Sequence, residues 1–208
     1  MAYLVLVRHG QSEWNLLGQW TGLTDVELTD EGRQEARRAA SMLKDIDLHK
    51  AYTSTLKRAK HTLDEIVEQL DKTNLDRTEH EALNERDYGD LTGKNKWQVK
   101  EEYGEEKFMA WRRSWDHPVP GGETLKDVSE RVLPYYEEHI LRDLKAGKNV
   151  IVAAHGNSLR SLMKFLDDIA DDKAHEVEIM TGEVLVYEID DDGTVVKKEV
   201  RVTNPKKV

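Results

Sequence analysis

Two rhythms alternate along the chain. Short unbroken apolar runs, Tyr3–Val7 and Val150–Ala154, read as strands, as does Val184–Ile189, interrupted only by Glu188. Between them, apolar residues recur three and four positions apart, the spacing of helices with one buried face. Thr29-Asp30-Glu31 opens the first helix, with Thr29 as N-cap and Ala36, Ala39, Ala40 and Leu43 as its stripe. Ala51-Tyr52-Thr53 reads as a strand. Ser54 then caps a helix from Thr55 to about Leu70. Residues 72 to 80 hold a short polar strand, and Asn95 to Tyr103 a short helix. Phe108, Trp111 and Trp115 follow at helical spacing. A long helix is predicted over Thr124–Lys145, stopped by Gly147. After Ala154, Asn157 or Ser158 caps a helix over Leu159–Leu166, and an acidic helical piece covers Asp171–Glu178. Thr194–Val202 forms a last strand after the turn Asp190–Gly193, and the tail Thr203–Val208 is short, polar and mobile.

Two stretches break the rhythm. Residues 9 to 28 and about 81 to 122 are long, turn-rich and polar. Loops of that length in a compact chain usually carry function. The second reads as an insertion (81–122) over the active site within a single domain, 1–208.

Composition narrows the partners. The 208 residues are 38% hydrophobic and 35% charged, with a formal net charge of -10. That balance disfavours nucleic acid and anionic membranes, which need a basic face. No apolar run approaches the ~20 residues of a membrane span. No targeting segment is evident, so the expected address is cytoplasmic. There are no cysteines, which removes disulfides and thiolate chemistry.

The candidate chemistry lies where two strands end alike, in Arg8-His9-Gly10 and His155-Gly156-Asn157. As neighbours in a parallel sheet they would lie ~4.8 Å apart, with both imidazoles facing one pocket. Buried structural histidines are the plain alternative. Metal binding would need a third ligand, no metal-ligand spacing occurs, and Arg8 beside His9 opposes a cation. A serine triad with Ser12 or Ser158 lacks the Gly-x-Ser-x-Gly setting. Covalent catalysis by histidine uses His9, His155, Arg8 and Arg58 together: an imidazole attacks phosphorus while the cations stabilise the equatorial oxygens. Arg58, in the first turn of its helix, is poorly placed for stability and well placed to meet an anion. Glu85 is the best candidate for moving the proton.

Leu6-Val7-Arg8-His9-Gly10-Gln11-Ser12-Glu13-Trp14-Asn15 resembles the signature of the histidine phosphatase superfamily. Thr21-Gly22, Thr53-Ser54-x-Leu56-x-Arg58-Ala59, Leu83-Asn84-Glu85-Arg86-x-Tyr88-Gly89, Gly93-x-Asn95-Lys96, Trp111-Arg112-Arg113 and Ala153–Arg160 look like the 2,3-bisphosphoglycerate-dependent phosphoglycerate mutases. The resemblance implies an α/β fold: a mainly parallel sheet, helices on both faces, and a C-terminal strand pair at the edge. It implies phosphohistidine at His9, with Arg8, Arg58 and His155 around the phosphoryl group and Glu85 as acid/base. Ser12, Asn15, Thr21, Gly22, Arg86, Tyr88, Lys96, Arg112, Arg113, Gly156 and Asn157 would bind substrate. The implied reaction interconverts 3-phosphoglycerate and 2-phosphoglycerate. The primer is 2,3-bisphosphoglycerate, no metal is required, and the partners are small phosphorylated three-carbon acids. A bisphosphoglycerate synthase/phosphatase or a broad phosphatase of the superfamily is the alternative; a noncatalytic phosphoester-binding module would not need His9 or Glu85. Three departures stand out. Ser114 runs almost directly to Pro118, where longer members carry an insert; Asp87 stands where many relatives have histidine; and the tail is short. The missing insert is compatible with a monomer or a homodimer.

Overall fold

The apolar run at the N-terminus becomes β1 (Ala2–Arg8), an interior strand of the sheet. The structure, a computed structural model, describes residues 1–201; Val202 and the predicted tail lie outside them. In chain order the elements are α1 (Glu13–Leu16), α2 (Asp30–Ser41), β2 (Lys50–Thr53), α3 (Lys57–Gln69) and β3 (Asp76–Glu79). Next come α4 (Lys96–Tyr103), α5 (Glu105–Arg113), α6 (Leu125–Tyr135), α7 (Leu141–Lys145), β4 (Val150–Ala154) and α8 (Gly156–Leu166). The chain closes with β5 (Val184–Ile189) and β6 (Val195–Arg201). Among the described residues the sheet runs β3-β2-β4-β1-β5-β6. The first four strands in that order are mutually parallel, and the antiparallel pair β5-β6 forms the edge, as expected.

Each face of the sheet has its own core. Val5, Val7, Ile151, Ala153, Val184 and Val186 pack against α2 and α3. Leu4, Leu6, Val150, Val152, Leu185 and Tyr187 pack against α6, α7 and α8. Both faces of β1 and β4 are covered, which is why their sequences show no polar alternation. The chain leaving β1 turns to the face of α2, and the chain leaving β4 to the face of α8. Diverging connections from adjacent parallel strands open a crevice at their carboxyl ends. A third, smaller core joins the two irregular stretches: Trp20 packs with Leu91, Val99, Phe108, Trp111 and Val119.

Local differences from expectation concern helix ends. α3 begins at Lys57, not Thr55, and has no side-chain cap, because its N-cap residue is Leu56, which carries no hydrogen-bonding side chain. The long helix over 124–145 is interrupted by a π-helical turn at Tyr136–Ile140, which begins two residues after Pro134. Proline cannot donate to the helix ladder and crowds the preceding turn. α8 starts at Gly156 with His155 as N-cap, so neither Asn157 nor Ser158 fills that position. The acidic piece is a 3₁₀ helix over Asp171–Glu176. No helix among the described residues is long and apolar enough to cross a membrane.

Candidate active site

Sheet register brings the two histidines together. Arg8 pairs with Ala154, and the His9 N–H donates to the Ala154 carbonyl at 2.9 Å, so the residues after both strands emerge in step. The rings of His9 and His155 lie 5.0 Å apart at 60°. The turn after β1 is close against α2. A Cβ on Gly10 would lie 2.1 Å from the Gly32 carbonyl oxygen, so only glycine fits.

His9 Nδ1 lies 2.7 Å from the Gly10 carbonyl oxygen. A carbonyl only accepts, so Nδ1 carries the proton and Nε2 keeps its lone pair. His155 Nε2 lies 2.7 Å from Ser54 Oγ. That hydroxyl also accepts from the Leu56 N–H at 3.2 Å, and of its two partners only His155 Nε2 can take its proton. His155 Nδ1 is then a buried N–H with no protein partner. Burial, then the nearby charge of Arg58, holds both imidazoles well below their usual pKa. Both rings are therefore neutral at neutral pH.

Arg58 is buried, donating to the carbonyls of Thr24 and Gly22, each at 2.8 Å. Gly22 sits at φ +54°, a conformation favouring glycine, and turns its carbonyl to that guanidinium. Burial pulls Arg58 down to about 10. Arg8 donates to the Ile179 carbonyl at 2.7 Å, and its Nε is buried without a partner.

Glu85 comes from the second irregular stretch. Its Oε1 accepts from Arg86 N–H at 2.8 Å, Asn157 N–H at 3.1 Å and Asn157 Nδ2 at 3.0 Å. Burial alone would raise its pKa. The Arg86 and Asn157 donors, with Arg58 and Arg8, outweigh burial and hold it below the usual carboxylate value. Arg131, on α6, fixes the backbone of this loop. It donates to the carbonyls of Ala82, Asn84 and Glu85 and forms an ion pair with Glu123 at 2.9 Å. A Cβ placed on Gly156 would touch both Arg8 and Glu85 at 3.6 Å, so the strand-end cation and the carboxylate flank that glycine.

Above these groups lies a narrow cleft of about 90 Å³. Of the predicted residues, Arg8, Glu85, Tyr88, Lys96, Arg112, Arg113, Gly156 and Asn157 line it. Asn157 Nδ2 also donates to the Tyr88 hydroxyl at 2.8 Å. Burial, then Arg8 and Arg112, lowers Lys96 to about 8. His9, His155 and Arg58 are buried beside Arg8. Other predicted binders are not among the lining residues. Ser12 and Asn15 cap α1 by exchanging hydrogen bonds with each other's backbone N–H. Thr21 buries a hydroxyl without a partner. Gly22 holds Arg58. Arg86 is 0% exposed, donates to the Trp111 carbonyl and lies over the Tyr88 ring at 4.7 Å.

Four contributors escaped the sequence reading. Ser54 looked like a helix cap and instead orients His155. Arg131 carried no local signal inside a long helix. Arg160 lines the cleft, donating to Asn157 Oδ1 at 3.0 Å and to the Val177 carbonyl at 2.8 Å. Glu178 also lines it, yet stood in the sequence as part of an acidic run. Among the described residues, no cluster of three or more His, Asp or Glu side chains is arranged to hold a metal.

This geometry can be set beside known proteins. The chain is 50% identical over 201 residues to a protein of Parvibaculum lavamentivorans named 2,3-bisphosphoglycerate-dependent phosphoglycerate mutase, covering 96% of each. A protein of the same name from Bradyrhizobium diazoefficiens is 49% identical over 197 residues, covering 94% of this chain and 95% of the other. Among solved structures, Bacillus stearothermophilus YhfR superposes with a TM-score of 0.81 at 28% identity, covering 94% of both chains. The vanadate (VO3) complex of mycobacterial glucosyl-3-phosphoglycerate phosphatase superposes with a TM-score of 0.83 over 97% of this chain and 98% of the other; at 24% identity it shows the shared fold. The profile of branch 1 matches residues 4–201, and the chain belongs to the histidine phosphatase superfamily.

Proposed function

We propose that this chain is a 2,3-bisphosphoglycerate-dependent phosphoglycerate mutase, acting through phosphohistidine at His9. The observation that carries the mechanism is the fixed tautomer of His9: a neutral ring with its Nε2 lone pair free. The name shared by relatives at about half identity supports the substrate and the bisphosphate primer.

In this reading, Nε2 attacks a phosphorus of the bisphosphate; the N–P bond forms as the P–O bond to the glycerate breaks, and the leaving oxygen takes a proton from Glu85, which is protonated beside the bound dianion. The Nδ1 proton stays on the ring, held by Gly10, as the imidazole becomes cationic. Arg8, Arg58 and the His155 Nδ1 proton meet the equatorial oxygens, where charge accumulates. Phospho-His9 then gives its phosphoryl group to the 2-hydroxyl of 3-phosphoglycerate, and Glu85 takes the hydroxyl proton. Held below the usual carboxylate value, Glu85 is charged and ready to act as base. An incoming phosphoryl dianion beside it raises its proton affinity. The bisphosphate turns over in the cleft, His9 attacks the 3-phosphoryl group, and Glu85 returns its proton to the leaving oxygen.

A mutase must also hold the far end of the ester. Lys96 and Arg112 are free of ion pairs among the described residues, and they suit the substrate carboxylate and second phosphate. Segment 81–122, which supplies Glu85, Tyr88 and these cations, is the covering insertion of a single domain in this proposal.

Incubation with bisphosphate labelled on phosphorus tests the proposal. Acid-labile label should appear on the wild type and be absent from His9→Ala. Isomerisation of 3-phosphoglycerate should outpace release of inorganic phosphate; release that outpaces isomerisation makes the chain a phosphatase and overturns the mutase reading.

A further inference from the structure

The cleft holds a carboxylate that phosphoryl transfer does not require. Its cations are Arg8, Lys96, Arg112, Arg113 and Arg160. Among the described residues only Arg113 is ion-paired, with its Nη2 2.5 Å from Glu178 Oε1. The contact is built in. Val177 and Ile179, on either side of Glu178, each offer a carbonyl to a cleft arginine: Arg160 Nε at 2.8 Å and Arg8 Nη1 at 2.7 Å. The backbone of Glu178 is pinned between them, while its side chain stays 48% exposed at the cleft wall. An anion arriving at Arg113 must displace this carboxylate or lie beside it.

Building on the mutase reading, we propose that Glu178 is a specificity-determining residue that limits how much negative charge the cleft retains. A phosphoglycerate carries roughly 2.5–3 negative charges at neutral pH and the bisphosphate roughly 4–5, from one carboxylate and about 1.5–2 per phosphate. The cleft has five cations against the carboxylates of Glu85 and Glu178, a net of +3. A fixed carboxylate repels a ligand in proportion to its charge, so Glu178 weakens the bisphosphate more than the monophosphate. This serves the reaction. The bisphosphate has to reorient between transfers, and a cleft that gripped both phosphates too firmly would hold one orientation. Glu178 gives Arg113 a partner while the ester turns.

The test is calorimetric binding in a His9→Ala background, which cannot form phosphohistidine. Glu178→Gln should tighten 2,3-bisphosphoglycerate about tenfold and 3-phosphoglycerate about threefold, with the difference shrinking at about 0.5 M salt. Pyrophosphate should likewise gain more than inorganic phosphate. Glu178→Asp, which keeps the charge, should stay within about twofold of the parent, and thermal melts should show all variants folded. Equal gains for both members of each pair, or no gain, overturn the proposal. If neither glycerate ester binds the parent protein, the mutase reading fails, while the pyrophosphate-to-phosphate ratio still decides the role of Glu178.

Discussion

Asn157→Ala isolates how the site controls its proton carrier. Glu85 Oε1 accepts three N–H bonds, and the substitution removes only the one from the Asn157 side chain, 3.0 Å long. A hydrogen bond from a neutral donor to a buried carboxylate is worth roughly 1.5–3 kcal/mol. That corresponds to about a tenfold to hundredfold change in the balance between Glu85 and its protonated form. The sign is fixed by which form the donor favours. Asn157 stabilises the carboxylate, so its loss raises the Glu85 pKa from its depressed position. The acid limb of the kcat/KM profile should therefore move to higher pH, with the alkaline limb in place. The substitution also strips a partner from Arg160 and from the Tyr88 hydroxyl. Those losses lower activity at every pH and leave the profile's shape alone. Stability follows the same sign: the depressed pKa contributes above the unfolded value of about 4.3. That contribution disappears as pH falls through the folded value, and the variant has less of it to lose. Rates across pH for both proteins with one substrate cancel the titration of the substrate's own phosphate. Superimposable acid limbs would refute the idea that Asn157 sets the charge state of Glu85.

Two further substitutions probe the frame around the reacting groups. Ser54→Ala leaves His155 Nε2 without its 2.7 Å partner and should lower kcat about tenfold with KM within about twofold, since a positioning bond is lost and substrate contacts stay; an unchanged kcat would show that packing alone orients His155. Gly89→Ala places a Cβ 2.2 Å from the Pro120 carbonyl oxygen at φ +47°, and the overlap should cost about 1–3 kcal/mol in urea unfolding while displacing the turn that carries Tyr88. Gly147→Ala is the control, with φ +77° but no atom within 4 Å, and should cost only about 1 kcal/mol of backbone strain without loss of kcat.

Much of this protein was legible before folding was considered. β1 and β4 declared themselves because both faces are buried, and a strand in that position has no polar residue to show. α2 declared its start through the Thr29 cap, which the structure keeps, with Gly32 N–H donating to Thr29 Oγ1 at 3.0 Å. His9, His155, Arg8 and Arg58 could be named because their residue types are unusual for where they stand: a cation in the first turn of a helix, imidazoles at two similar strand ends; Glu85, an ordinary residue for a polar loop, was named through the family resemblance. Their adjacency is a matter of register, and register comes from pairing between segments some 145 positions apart.

What the sequence could not decide is how each polar side chain divides its bonds. Ser54 and Ser12 both have the chemistry of a helix cap. Ser12 acts as one; Ser54 lies two residues before the Leu56 N-cap, and its hydroxyl serves the Leu56 N–H and His155 Nε2 together. Asn157 has the same chemistry and instead turns to Glu85, 72 positions away in the chain. Arg131 and Glu178 carry no local mark at all. Their roles depend on carbonyls and a guanidinium that only tertiary packing delivers. Local pattern records burial and backbone propensity, which act between near neighbours. A hydrogen bond to a buried partner is decided by which group comes closest once the sheet has closed, and that is a property of the folded chain alone.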